Sequence, residues 1–241
     1  MNKQLLPIAF LFVIVILFFW RLFALNKYPE KYEIQGFHYA KQPDSITCGP
    51  TSGIMLLDRY NKFTSIDNVK SHAKTQWFIH NGKPIGMTSP ELLNKAINQL
   101  GVNSSLKNED LDYLKYCISL DKPVIVLLRS GKLTWHYVLV IGYSENTIII
   151  ADPSGGNRSE MTTKNFMGSW KFSTDMEGNS IYSTCSTCSG TGRWGPVRLG
   201  PLSVCDVCGG SGYQPDFIGL LLKSADIYPM TSIVPNYSVK P

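Results

Sequence analysis

With 241 residues, a 44% hydrophobic share and 17% charged residues, the chain can bury a full core, which excludes global disorder. Its formal net charge of +5 is spread thinly, with no basic run of five or more. That balance does not point to nucleic acid, and an anionic membrane surface is the simpler partner. The length admits one large domain or two smaller units.

Leu5 to Trp20 carries no charge and is almost wholly apolar, and after Arg21 the run continues from Leu22 to Leu25. With Arg21 snorkelling, the stretch approaches the ~20 residues that cross a bilayer. Trp20 suits an interfacial position. No small-x-small cleavage site follows, so the expectation is an uncleaved single-pass anchor rather than a signal peptide. Lys3 flanks one side and Arg21, Lys27 and Lys31 the other, a slight lean towards a cytoplasmic body.

Asn26 to Gly36 reads as a polar juxtamembrane linker, and Phe37 to Ala40 as a first extended segment. Cys48-Gly49-Pro50 then opens a helix. Proline is favoured in a first turn, and Ile54, Leu56, Leu57 and Tyr60 supply a buried stripe. The partial positive charge at that end favours a thiolate, the nucleophilic form of cysteine. Gln42 lies six residues upstream, where its amide could donate to an oxyanion beside the sulfur. Taken alone, the stretch reads equally well as a small buried cysteine at a turn.

Ser65 to Lys74 predicts a short helix, and Thr75 to Met87, broken by Gly82, Pro84 and Gly86, an irregular segment. Ser89-Pro90-Glu91 starts a helix whose apolar face is Leu92, Leu93, Ala96, Ile97 and Leu100, stopped by Gly101. Asn108 is expected to cap another, with Leu111, Leu114 and Ile118 inward. Cys117 on that helix has no motif around it and is expected to be a plain buried thiol. Val124 to Leu128, Trp135 to Tyr143 and Thr147 to Ala151 then read as strands. Helices followed by antiparallel strands predict an α+β domain with segregated layers.

His136 stands at the mouth of the second of these strands, and Asp152 ends its hairpin neighbour. Side chains at adjacent strand ends come within reach of each other. Asp152 can therefore hold the imidazole, which in turn can pair with Cys48. That is the nucleophile, base and orienter arrangement of a cysteine hydrolase. The alternative for an isolated histidine is a satisfied place in the core.

In Gln42, Cys48-Gly49-Pro50-Thr51-Ser52, Lys122-Pro123-Val124-Ile125, His136-Tyr137-Val138 with Gly142-Tyr143, Asp152-Pro153 and Phe166-x3-Trp170, the chain resembles papain-like cysteine peptidases of the C39 type. The resemblance spans roughly Gly36 to Lys171 and implies a papain-like fold. It implies Cys48 as nucleophile, His136 as general base and acid, Asp152 as orienter and Gln42 as oxyanion donor, acting on a peptide or protein substrate. C39 domains fused to ABC exporters cleave leader peptides after a Gly-Gly pair. This sequence departs from that plan, with one candidate span and no Gly-x4-Gly-Lys-Ser/Thr motif, so leader specificity is not part of what the resemblance implies. The same four residues would equally serve deamidation or acyl transfer, or an inactive peptide-binding scaffold.

Cys185-x2-Cys188-x-Gly190-x-Gly192 and Cys205-x2-Cys208-x-Gly210-x-Gly212 form an internal repeat. Two Cys-x-x-Cys knuckles suit tetrahedral Zn(II), and four cysteine ligands imply a structural rather than catalytic ion. A disulfide pair or redox centre is the other reading. The repeat resembles the zinc-binding repeats of DnaJ-type chaperones, and the apolar Trp194, Val197, Leu199 and Leu202 between the knuckles could dock a protein partner. Reduced thiolates persist most easily in the cytosol, in line with the charge lean. Asp216 to Lys223 reads as a strand returning to the sheet. The expected organisation is an anchor and linker over 1–35, a peptidase domain over 36–180, a zinc insertion over 181–214, and a returning strand with extended tail over 215–241.

Overall fold

The computed structural model describes residues 28–80, 83–131, 134–179 and 230–238. The candidate anchor, the four repeat cysteines and the returning strand at Asp216 to Lys223 lie outside these residues. Among the described residues no helix is long and apolar enough to cross a membrane. No cluster of three or more His, Cys, Asp or Glu among them could hold a metal ion.

Among the described residues, five helices and an antiparallel sheet make an α+β fold. The helices are α1 (Cys48–Arg59), α2 (Ile66–His72), α3 (Pro90–Gln99), α4 (Leu111–Ser119) and α5 (Thr163–Trp170). The main sheet runs β4 (Ser104–Asn108), β9 (Thr231–Pro235), β5 (Val124–Arg129), β6 (Trp135–Tyr143), β7 (Thr147–Asp152) and β8 (Asn157–Thr162). A short β1 (Tyr32–Glu33) pairs with the end of β6, beside a register shift between β6 and β7 at Val140 and Gly142. A separate hairpin joins β2 (Gln76–His80) to β3 (Lys83–Met87).

The central strands are covered on both faces, so they read as apolar runs rather than alternating ones. All six residues of β5 are buried, as are the last seven of β6. Leu56 and Leu57 of α1, Leu93 and Ile97 of α3, Ile118 of α4 and Phe166 and Trp170 of α5 are at most 1% exposed and complete one continuous core. Cys117 lies in it at 3% exposure, and burial pushes its thiol pKa up.

Helix starts follow their capping chemistry. Ser89 accepts the Leu92 N–H and Ser65 the Asn68 N–H, satisfying amides that have no partner inside the helix. Asp110 rather than Asn108 caps α4, accepting the Tyr113 N–H, because Asn108 is taken up as the last residue of β4. Residues 76–87, expected to be irregular, form the β2–β3 hairpin. Phe37 to Ala40 forms no strand, and β1 lies earlier. The segment from Tyr28 is held against the body: Tyr28 Oη donates to Asp112, Tyr32 Oη to Asp121, and Tyr143 Oη to the Pro29 carbonyl.

Within 215–241, expected to hold a returning strand and an extended tail, Thr231–Pro235 form a further strand, β9. Its five residues are all buried between β4 and β5. α5 holds the strand in place, since the Met230 N–H donates to the Trp170 carbonyl and Trp170 Nε1 to the Thr231 carbonyl. One of the sheet's inner strands thus lies more than a hundred residues along the chain from its neighbours β4 and β5.

Candidate active site

The sheet and α1 bring three distant parts of the chain to one place. Cys48 is the first residue of α1 and is partly exposed. No side chain caps this helix: Thr47 Oγ1 donates to Asp44 Oδ1 at 2.8 Å instead. The Cys48 and Gly49 N–H groups at this end are thus left without a side-chain cap, and a helix N-terminus attracts negative charge.

Asp44 ties the loop ahead of Cys48. Its Oδ1 also accepts the Ile46 N–H at 2.9 Å, and its carbonyl accepts Gln42 Nε2 at 2.6 Å. One amide hydrogen of Gln42 is thereby engaged, and Nε2 meets no second acceptor among the described residues. Gln42 Oε1 is buried with no partner among the described residues. Gly86 backs this loop so closely that any side chain there would collide with Ile46.

Gly49 has a packing reason as well. A Cβ there would lie 3.1 Å from the ring of Tyr137, which is 5% exposed and whose hydroxyl donates to the Thr88 carbonyl. Burial raises the pKa of that phenol well above its ordinary value, so it stays a neutral donor. The ring sets the start of α1 against β6.

His136 is the second residue of β6, with its side chain 12% exposed. Its Nε2 lies 2.7 Å from Asp152 Oδ1 and 2.9 Å from Ser154 Oγ, and Cys48 is close enough to act on the charge of the imidazole. With Nε2 occupied, Nδ1 is the nitrogen left for the sulfur. Burial works to lower the imidazole pKa, but the Asp152 hydrogen bond and the charges of Cys48 and Asp152 outweigh it. The net result is a rise from 6.5 to about 9. Burial likewise works to raise the Asp152 pKa, and the His136 bond and charge, with the Ser154 N–H, hold it below its ordinary value.

All four residues expected from the sequence are therefore drawn to one neighbourhood, with His136 bonded to Asp152 and Cys48 acting on the imidazole. Gln42 reaches it through the backbone: its N–H donates to the Pro153 carbonyl at 2.8 Å. The loop carrying Asp152 thus also positions the segment carrying Gln42. Asp44 and Ser154 were missed by sequence reasoning. The signal for Asp44 is an Asx turn in Pro-Asp-Ser, and for Ser154 the turn sequence Asp-Pro-Ser-Gly-Gly.

Gly156 closes that turn with φ +66, donating its N–H to the Asp152 carbonyl. A Cβ at this position would sit 2.5 Å from Lys41 Cβ and 2.9 Å from Lys41 Cα. Gly156→Ala is expected to destabilise the fold by at least the ~1–2 kcal/mol of a left-handed L-residue. It should also push Lys41–Gln42 off the Asp152 loop. Urea unfolding checks the first effect, and a larger fall in peptide turnover than the unfolded fraction explains checks the second.

The sequence pattern of the Peptidase C39 family matches residues 36–174. No curated protein matches the chain. Among solved structures, it is similar to a C39-like peptidase from Bacillus anthracis, at 14% identity and TM-score 0.51, over 59% of this chain and 92% of that one. It is also similar to the peptidase domain of Streptococcus ComA, a bifunctional ABC transporter of a quorum-sensing pathway. That likeness has 26% identity and TM-score 0.46, over 54% of this chain and 89% of that one. A third is a double glycine motif protease from an AMS/PCAT transporter, in complex with the leader peptide, at 17% identity and TM-score 0.41, over 54% and 85%. The pattern spans more than half of the 241 residues, and with it the chain belongs to the Peptidase C39 family.

Proposed function

We propose that the chain is a cysteine peptidase in which Cys48 is the nucleophile, His136 the general acid and base, Asp152 the orienter and Gln42 an oxyanion donor. The observation that carries this reading is the imidazole held between Cys48 and Asp152, with its pKa raised to about 9. At neutral pH such an imidazole is largely protonated and ready to give a proton to a leaving amine.

The steps follow from those roles. Cys48 Sγ attacks the scissile carbonyl carbon, and the carbonyl oxygen takes up the negative charge. The Cys48 N–H and the second Gln42 amide hydrogen stabilise it. The C–N bond breaks as His136 transfers its proton to the nitrogen, leaving a thioester. His136, now neutral, takes a proton from water, whose oxygen attacks the thioester and releases the acid and the Cys48 thiolate, restoring the thiolate and imidazolium. In the same reading residues 5–25 anchor the domain to a membrane, and Cys185, Cys188, Cys205 and Cys208 hold a structural Zn(II) beside it.

Incubating the purified full-length chain with a peptide library, and sequencing the products, tests this function. Cleavage by the native chain but not by Cys48→Ala is expected. Equal cleavage by both would end the proposal.

Asp152→Asn addresses the pH behaviour. The Asp152 bond and charge raise the imidazole pKa, so their loss should lower it. The alkaline limb of kcat/KM should then move from about 9 towards 6.5. Near pH 8 that means a roughly tenfold or larger drop in activity, recovered in part at lower pH. An unmoved limb in a pH–rate profile would count against the role of Asp152.

A further inference from the structure

We propose that Ser154 is a positioning residue for His136, its hydroxyl sharing Nε2 with Asp152 and so fixing which ring nitrogen faces Cys48. The inference rests on the Cys48–His136–Asp152 reading of the function and adds a fourth member to it.

The register explains how Ser154 arrives there. Leu139 of β6 pairs with Ala151 of β7, so three residues further on along both strands His136 falls opposite residue 154. β7 ends at Asp152, and the turn after it folds Ser154 back over the ring edge. Two contacts hold the serine. Its N–H donates to Asp152 Oδ1 at 2.8 Å, and its Oγ sits 2.9 Å from His136 Nε2. The same Asp152 oxygen accepts from Nε2 at 2.7 Å. Ser154 thereby touches both members of the charge pair, through two different atoms.

A ring nitrogen with one hydrogen and two acceptors makes a shared bond. Rotating the ring by half a turn would break both, so the pair resists the flip that would aim the wrong nitrogen at the sulfur. One acceptor alone leaves the ring free to pivot about the bond. Ser154 Oγ is not itself a second nucleophile. The Nε2 that would have to take its proton already carries one, held by Asp152.

The titratable groups facing the imidazole are Cys48 from α1 and Asp152 from the end of β7. On the β5 side Leu128 lies opposite His136 in register, and Arg129 stacks 5.0 Å over the neighbouring Trp135 ring. Tyr137, next along β6, is a buried neutral phenol. None of these replaces the Ser154 hydroxyl at Nε2.

Iodoacetate is the probe. Its negative charge is drawn to an imidazolium, so its rate at Cys48 falls as His136 loses its proton. Alkylation of Cys48 in the full-length chain would be followed by peptide mapping against pH, for the native chain, Ser154→Ala and Ser154→Thr. Ser154→Ala should slow the reaction near neutral pH by about 2- to 10-fold, the worth of one hydrogen bond. It should also move the alkaline midpoint down, while Ser154→Thr keeps the native midpoint. A Ser154→Ala profile that superimposes on a fast native one overturns the proposal and leaves the catalytic reading standing. So does a uniform loss at every pH with a lowered melting temperature and no moved midpoint, which marks a merely structural serine. A native Cys48 no faster than Cys117, with no alkaline limb, overturns both.

Discussion

Replacing His136 with Ala is expected to slow peptide hydrolysis by about 10²–10⁴-fold. The imidazole is bonded to Asp152 and, in the proposed mechanism, is both the proton donor for the leaving amine and the partner of the thiolate, so its removal takes away both functions together. Substrate binding does not depend on that proton, so the loss should fall on kcat and leave KM nearly unchanged. Steady-state kinetics on the peptide identified from the library would measure it. A variant retaining more than a tenth of the native kcat would show that another group delivers the proton.

The same substitution has a stability consequence whose sign follows from the two shifted groups. The folded-state pKa of His136 is raised, from 6.5 to about 9. Its contribution is therefore fully present below about 6.5 and is lost as pH rises through about 9. The Asp152 value is depressed below 3.8, so its contribution is present above that value and is lost as pH falls. His136→Ala should thus cost most between those limits, near pH 4 to 6.5, and least in alkaline solution.

The second large effect is expected at Gln42. Gln42→Ala should lower kcat by about 10²–10³-fold, the usual loss for one oxyanion donor. The amide is tethered by the Asp44 carbonyl and its backbone by the Pro153 carbonyl, so its position is set before substrate arrives. Pre-set donors need no reorganisation when charge develops, which is why their loss appears in the transition state rather than in binding. Gln42→Glu separates this from packing. It has nearly the same shape but presents a carboxylate to the oxyanion, and it should be at least as slow as Gln42→Ala. A Glu variant near native activity would remove Gln42 from the mechanism.

The parts of the fold that sequence exposes are those whose local signal and buried environment agree. Ser89-Pro90-Glu91 marks the start of α3 because capping and proline chemistry are local. β5, β6 and β7 are apolar runs long enough to be recognised, and their hairpin order places Asp152 near His136 before any coordinates. β9 was hidden because Thr-Ser-Ile-Val-Pro is short, ends in proline and is stabilised by partners more than a hundred residues away in β4 and β5. β4 was hidden because Ser-Ser-Leu-Lys-Asn is an edge strand with one solvated face and weak strand propensity. The β2–β3 hairpin carries glycine and proline inside its strands, which locally argue against one.

The candidate site divides in the same way. Cys48, His136 and Asp152 are legible because each sits at the end of a recognisable element. Ser154 and Asp44 act from turns, where the useful fact is which atom a polar side chain meets. Residue type and spacing do not encode that. Tyr137 reads simply as a core residue of β6, yet its ring is the reason a glycine follows the cysteine.

The most direct test of the account compares two thiols in one molecule. The native full-length chain would be treated with a limiting amount of iodoacetamide near pH 6.5, and the alkylated peptides of Cys48 and Cys117 quantified by mass spectrometry, with His136→Ala in parallel. Selective labelling of Cys48 in the native chain, lost on removal of the imidazole, is the predicted result. Labelling of Cys48 that is no faster than that of buried Cys117, or that is unchanged in His136→Ala, would contradict it.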